Sequence, residues 1–265
     1  MNEISNSAAL AARLRALTPA RVALGRCGVS LQTRDLLDFQ RCHAQARDAV
    51  HARLEAAALA ASLAQIASDF SLACSDVLRL HSAAADRATY LQRPDLGRRL
   101  DETSQSLLLH YAAAEGNAGP SDLALIVADG LSALAVERHV APLLRELLPR
   151  LDGWKLTPIC VVEQGRVAIG DPIAFALQAQ ISVVLIGERP GLSSPDSLGA
   201  YITWDPRPDR TDAERNCISN IRAEGLNYQQ AAAQLALCLT EARRRQLTGV
   251  ALKQESNLLE KGETG

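Results

Sequence analysis

"VVLIGERPG", residues 183–191, is the stretch on which the fold turns. Valine, valine, leucine and isoleucine run into a glycine, and then a carboxylate and a guanidinium stand side by side before Pro190 and Gly191. A strand that is apolar at every position, rather than at alternate ones, belongs to a sheet covered on both faces. Pro190 and Gly191 suit the two central places of a type II turn, and a residue before proline is held extended, so Glu188 falls on the strand's last rung, facing the crevice beyond it. An ion pair with Arg189 or a turn cap is the plainer role for the same carboxylate.

Working outward, "DLALIVA" (122–128) and "TPICVVEQ" (157–164) read as two more buried strands, with "ISVVLIG" (181–187) the third. The segment between the first two, "DGLSALAVERHVAPLLRELLPRL", reads as turn and helix. "GDPIAFALQA", before the third, reads as a helix with Asp171 at its N-cap and Pro172 at its first position. Strand, helix, strand, helix, strand at this spacing is the pattern of right-handed parallel crossovers. "AYITWDP" offers a further strand, and "QQAAAQLALCLTEARRRQL" the closing helix.

The N-terminal part has a different rhythm. Leu10, Leu14 and Leu17 recur at helical spacing, and from Arg34 to Ala67 an alanine-rich stretch puts Leu36, Leu37, Phe39, Ala46, Val50 and Leu54 on one helical stripe. "YLQRPDLGRRLDETSQSLLLHYAAA" places Pro94 at a helix entry and Asp95 in its first turn. Gly and Pro in "EGNAGPSD" (115–122) interrupt both periodicities. The expectation is an α/β protein, with a helical N-terminal region (1–118), a Rossmann-like parallel-sheet domain (119–253) and a disordered tail (254–265).

Composition narrows the function. A hydrophobic content of 48% fills a core, and a net charge of -2 with acids and bases interspersed leaves no polybasic face to track phosphates, which argues against nucleic acid. No apolar run approaches the roughly 18 residues of a membrane span, and the start carries no signal-peptide core. The six cysteines, Cys27, Cys42, Cys74, Cys160, Cys217 and Cys238, form no C-x-x-C pair and read mostly as buried, reduced thiols of a cytosolic protein.

In an open parallel sheet, ligands bind beyond the carboxyl ends of the strands. Three loops qualify: "DGLS" (129–132), "EQGRVAIGD" (163–171) and "GERPGLSS" (187–194). The first strand is followed by D-G-L-S rather than G-x-G-x-x-G, which disfavours NAD; no P-loop and no G-x-S-x-G occur. Cys217, in "ERNCISNI", is the cysteine in a polar, loop-like run; it is either a small apolar filler at an element end or a thiolate whose nearest cation in sequence is Arg215.

Five motifs, "LQRPDLGRRLDE", "LALIVADGLSALAV", "QGRVAIGDPI", "LIGERPGLSSPDSLGAYITWDPR" and "DRTDAERNCISNI", together resemble the small (light) subunit of ethanolamine ammonia-lyase, in order and spacing. The likeness runs from about Leu14 to the end of the last helix. It implies a lyase that uses adenosylcobalamin (coenzyme B12) to convert ethanolamine to acetaldehyde and ammonia, active only as a hetero-oligomer with a large subunit. That partner, a β/α barrel, holds the substrate; the small subunit covers the other side of the corrinoid. The family's small-subunit cofactor contacts fall on Val167, Glu188 and Cys217, with no catalytic residue and no metal ligand in this chain. Asp129 and Ser132 lie near the nucleotide tail without a residue-level match. The chain lacks D-x-H-x-x-G, the signature of a histidine that replaces the benzimidazole on cobalt, so the cofactor is expected base-on. Relatives housed in bacterial microcompartments carry a targeting peptide and linker before the "ARVALGR"-like segment; here Ala20 follows almost directly on the start, which favours a cytoplasmic enzyme at least as much as an encapsulated one. The alternative from another class is a non-catalytic α/β module that holds a different nucleotide-like ligand at the same crevice.

Overall fold

Helix α1 (Asn2–Leu17) is followed by a two-strand hairpin, β1 (Arg26–Cys27) and β2 (Ser30–Leu31), and by helices α2 (Thr33–His51) and α3 (Ala56–Asp69). Strand β3 (Val77–His81), α4 (Arg87–Gln92), a 3-10 turn at Leu96–Arg98 and α5 (Glu102–Ala114) come next. The crossover region holds β4 (Ser121–Ala128), α6 (Ala133–Leu147), β5 (Ile159–Glu163), a 3-10 turn at Val167–Ile169, α7 (Gly170–Ala176) and β6 (Ala179–Gly187). Strands β7 (Leu198–Trp204) and β8 (Arg215–Ile221) and helix α8 (Tyr228–Arg245) complete it. This computed structural model describes residues 2–18, 21–22, 24, 26–72, 76–114 and 120–252. Most of the Gly/Pro boundary after α5, Cys74 and the tail expected from residue 254 lie outside them.

A six-stranded sheet in the order β3-β5-β4-β6-β7-β8 organises the molecule: the first four strands are parallel, and β7 and β8 are antiparallel to their neighbours. The apolar run of β4 is explained by two cores. Leu123, Leu125 and Val127 pack with α3, α6 and α8 on one face. Ala124, Ile126 and Ala128 pack with α5 and α7 on the other. The expected α/β fold with a Rossmann-like parallel layer is what the chain adopts.

Local chemistry starts the helices. Ser132 Oγ accepts from the Ala135 N–H at the head of α6 (3.3 Å), and Asn227 Oδ1 from the Gln230 N–H at the head of α8 (2.9 Å). The chain leaves β4 toward α6 on one face and β5 toward α7 on the other, so the loops after these adjacent strands part and open a switch point.

Several expectations change. Strand β3, from the N-terminal part read as helical, forms the sheet's edge. Pro94 does not open a helix: α4 stops at Gln92, the 3-10 turn intervenes, and α5 begins at Glu102. The residue before proline is driven out of the helical region, so Pro94 ends one element instead of starting another. Asp171 is not an N-cap but lies inside the first turn of α7, where its carboxylate is taken by Arg215. The alanine-rich stripe is divided: Ala46 and Leu54 are buried and Val50 half-buried, while Leu36, Leu37 and Phe39 are exposed. Among the cysteines described, Cys160 is buried, Cys42 and Cys238 are half-buried and Cys217 is exposed, all as free thiols.

Candidate functional site

The loops after β4 and β6 are in direct backbone contact. Leu131 N–H donates to the Gly187 carbonyl (2.9 Å), and Ser132 Oγ to the Pro195 carbonyl (3.0 Å). Gly130, at φ 57°, makes this possible: a Cβ there would collide with the Gly187 carbonyl.

Glu188 follows β6 on the face of Val184 and Ile186. Its N–H donates to the Ser197 carbonyl (2.9 Å), which prolongs the pairing with the strand opposite. Its Oε2 accepts from Ser197 Oγ and from the Asn220 N–H (3.1 Å). No ion pair joins it to Arg189, and Oε1 has no hydrogen-bond partner among the described residues. The type II turn expected at Pro190–Gly191 does not form. Gly191 does not take the positive φ that such a turn demands; its N–H donates instead to the Ser194 carbonyl (2.9 Å).

Cys217 sits within β8 rather than in a loop, directly opposite Tyr201 of β7. Its thiol lies 3.2 Å from Ser219 Oγ and is exposed. Arg215, the cation nearest in sequence, is occupied. Its guanidinium meets Asp171 in a fork of 2.7 and 2.6 Å, adds Thr203 Oγ1 (2.9 Å), and is 2% exposed. Its charge is bound there rather than turned to the Cys217 thiol.

Tyr201 joins the predicted residues. Burial, then Cys217 and Glu188 beside it, push its phenol up. A Cβ on Gly199 would touch both Glu188 (Oε1, 3.0 Å) and the Tyr201 ring (3.3 Å). Val167 opens the 3-10 turn after β5 and packs, half-buried, against the same apolar core as Tyr201. Glu188 and Cys217 therefore flank one tyrosine, and Val167 shares its core from the neighbouring crossover. On this face Cys217 and Ser219 are exposed and Tyr201 is half-buried, while Thr203 and Arg215 are buried, so the wall is open over the middle and far end of β8. Sequence reasoning missed Tyr201; its signal was the alternation of "LGAYITW", whose Leu198, Ala200 and Ile202 fill the opposite core.

Beside this face, a cavity of about 780 Å³ lies between Arg98, Arg99 and Gln105, the 3-10 turn at Ala168, and residues 208–212.

At the switch point, charges are buried. Asp129, 1% exposed, accepts from the Gly165 N–H (3.0 Å) and pairs with Arg87 (3.4 Å), whose guanidinium also reaches the Gly130 carbonyl (2.8 Å) and Gln164 Oε1 (3.3 Å). Burial raises the Asp129 carboxyl to about 6, against the pull of Arg87 and of the backbone N–H groups of Gln164, Gly165 and Gly130.

A parallel layer with a switch point, extended by an antiparallel pair partly exposed on one face, defines an α/β protein of the doubly wound kind. Comparison with known proteins agrees with the motifs. Residues 8–253 match the family model described as ethanolamine ammonia-lyase light chain (EutC). The chain is 59% identical over 247 residues to the ethanolamine ammonia-lyase small subunit of Pseudomonas aeruginosa strain LESB58, covering 92% of this chain and 87% of that one. It is 55% identical over 263 residues to that of Pseudomonas syringae pv. tomato (97% and 88%), and 56% over 248 to that of Xanthomonas campestris pv. campestris strain B100 (93% and 88%). The chain belongs to the ethanolamine ammonia-lyase light-chain family. Among the described residues no helix is long and apolar enough to cross a membrane, and no group of three or more His, Cys, Asp or Glu is arranged to hold a metal ion.

Proposed function

We propose that this chain is the small subunit of an adenosylcobalamin-dependent lyase that converts ethanolamine to acetaldehyde and ammonia, its bare sheet face covering one side of the corrinoid while a large subunit holds the substrate. The observation that carries this reading is the grouping of Glu188, Tyr201 and Cys217 on an uncovered face with Val167 at its margin. The donor set fits the cofactor. A corrin rim carries amide groups, and Glu188 keeps Oε1 available to accept their N–H bonds while Oε2 is tied to Ser197 and Asn220. Each such charge-assisted bond is worth about 1.5–3 kcal/mol. Val167 and the Tyr201 ring offer apolar contact, and Cys217 a small polarisable one. This chain has no D-x-H-x-x-G histidine to offer as a ligand, which supports base-on binding, with Val167, Glu188 and Cys217 as the residues that would hold the cofactor.

When bound, the cofactor supplies the radical chemistry. This chain's residues bind, orient and exclude water, and none of them acts as acid, base or nucleophile. Co-expression with a large subunit tests the reading: the purified complex is expected to show a corrinoid absorption spectrum and to turn over ethanolamine, with no turnover by this chain alone. Glu188→Gln is expected to weaken cobalamin affinity about 10- to 100-fold, the equivalent of one charge-assisted bond, with kcat at saturating cofactor little changed. Normal affinity with abolished turnover would contradict that role. A reconstituted complex that never holds a corrinoid would favour an α/β module for another ligand.

A further inference from the structure

We propose that Arg87, Tyr90 and Asp129 are positioning residues that fix residues 164–166 so that Val167 is presented to the corrinoid, an inference that rests on the cobalamin reading above. The loop they hold begins on a strained residue: Gln164 adopts φ 55°, a left-handed conformation that a side chain tolerates only where its surroundings enforce it. The surroundings do so at both peptide groups that flank the next residue. Asp129 Oδ1 takes the Gly165 N–H (3.0 Å), and the Tyr90 hydroxyl donates to the Gly165 carbonyl (3.1 Å). Arg87 reaches Gln164 Oε1 and the Gly130 carbonyl through one nitrogen, and is itself anchored by Nε to the Val50 carbonyl of α2 (2.7 Å).

Arg166 is then held through its backbone and its side chain. Its N–H donates to the Gly97 carbonyl (2.7 Å), its guanidinium to the Tyr90 carbonyl (3.2 Å), and that guanidinium lies 4.2 Å from the Tyr90 ring centroid. Gly97 comes this close because it has no side chain: a Cβ would meet Arg166 Cγ at 2.8 Å, the Tyr90 ring at 3.0 Å and the Gln164 carbonyl at 3.1 Å. The "LQRPDLG" motif thus has a task, as the seat on which "QGRV" rests. Stability alone does not account for the charges, since a buried ion pair is often replaceable by apolar packing without loss; here both members of the pair, beside their other partners, bond to residues 164–165.

The test uses the two-subunit complex. Tyr90→Phe removes one hydroxyl, Asp129→Asn one charge, and Gly97→Ala lifts the loop while leaving the buried charges untouched, so the set survives if any Arg87 variant fails to fold. In Tyr90→Phe and Gly97→Ala, equilibrium dialysis is expected to show about tenfold weaker adenosylcobalamin binding, the size of one lost contact, with kcat at saturation within about twofold. Deuterium exchange at the amides of Gly165, Arg166 and Val167 is expected to quicken in parallel. Arg87→Lys is expected to bind more tightly than Arg87→Gln. Unaltered affinity in Tyr90→Phe and Gly97→Ala, beside normal binding by the unchanged complex, overturns the positioning role alone; failure of the unchanged complex to bind cobalamin overturns the reading beneath it.

Discussion

The two halves of the sheet are built on different terms. In β4, β5 and β6 both faces are buried, and almost every side chain is apolar. In β7 and β8 one face fills the core with Leu198, Ala200, Ile202 and Ile221, while the other carries Tyr201, Cys217 and Ser219 toward open space. The parallel half is complete in itself. The antiparallel half has a second face that the described residues cover only at its Thr203–Arg215 end, where Asp171 of α7 meets it, and Cys217 lies on the exposed remainder. On the proposed reading, stability and recognition fall mainly to different regions of a single sheet.

Removing the link between the halves should cost most. Arg215 and Asp171 tie β8 to α7, and Arg215→Ala strands a buried carboxylate, so a loss of about 3–5 kcal/mol is expected in denaturant unfolding. A loss below about 1 kcal/mol, the worth of a surface pair, would show that the β6–β7 ladder joins the halves without help from this pair. Next comes the interior of the parallel half: Leu125→Ala, at a fully buried position, is expected to cost about 2–5 kcal/mol by the same measurement.

A smaller effect is read from pH. An acid whose folded pKa lies above its unfolded value binds more protons when folded between the two, so stability falls as pH rises across that interval. For Asp129 the interval runs from 3.8 to about 6. Asp129→Asn should remove this downward component from unfolding curves taken across that range; an unchanged slope would refute it. The smallest stability effect is expected on the bare face, where Cys217→Ala should stay within about 0.5 kcal/mol. A larger loss would mean that Cys217 supports the sheet rather than facing a ligand.

The same contrast explains what could be read in advance. Strands β4, β5 and β6 were legible because full burial writes itself as uninterrupted apolar runs, and Ser132 marked the start of α6 by its own cap. Strand β3, "VLRLH", was not legible, because an edge strand with Arg79 exposed is short and mixed. Strand β8 was taken for a loop because its outward residues are polar, and its single-face burial leaves only Ile218 and Ile221 as apolar signals. The topology located the loops of Val167 and Glu188, the strand end singled out Glu188 and its polar context Cys217, but the choice of Val167 and the cofactor role of all three came from the family likeness. Nothing local announced Arg215 with Asp171, 44 residues apart, or Arg87 with Asp129, 42 apart. Such pairs exist only once the sheet has brought their strands together.

Because Gly130 lets the turn after β4 rest on the backbone of Gly187, the two rims that bracket Glu188 cannot drift separately. A molecule docking there meets a surface whose shape is already set, and spends little of its affinity on ordering this side. On the proposed reading, assembly would then be governed by how the large subunit closes over the pair, with this chain acting as the fixed jaw.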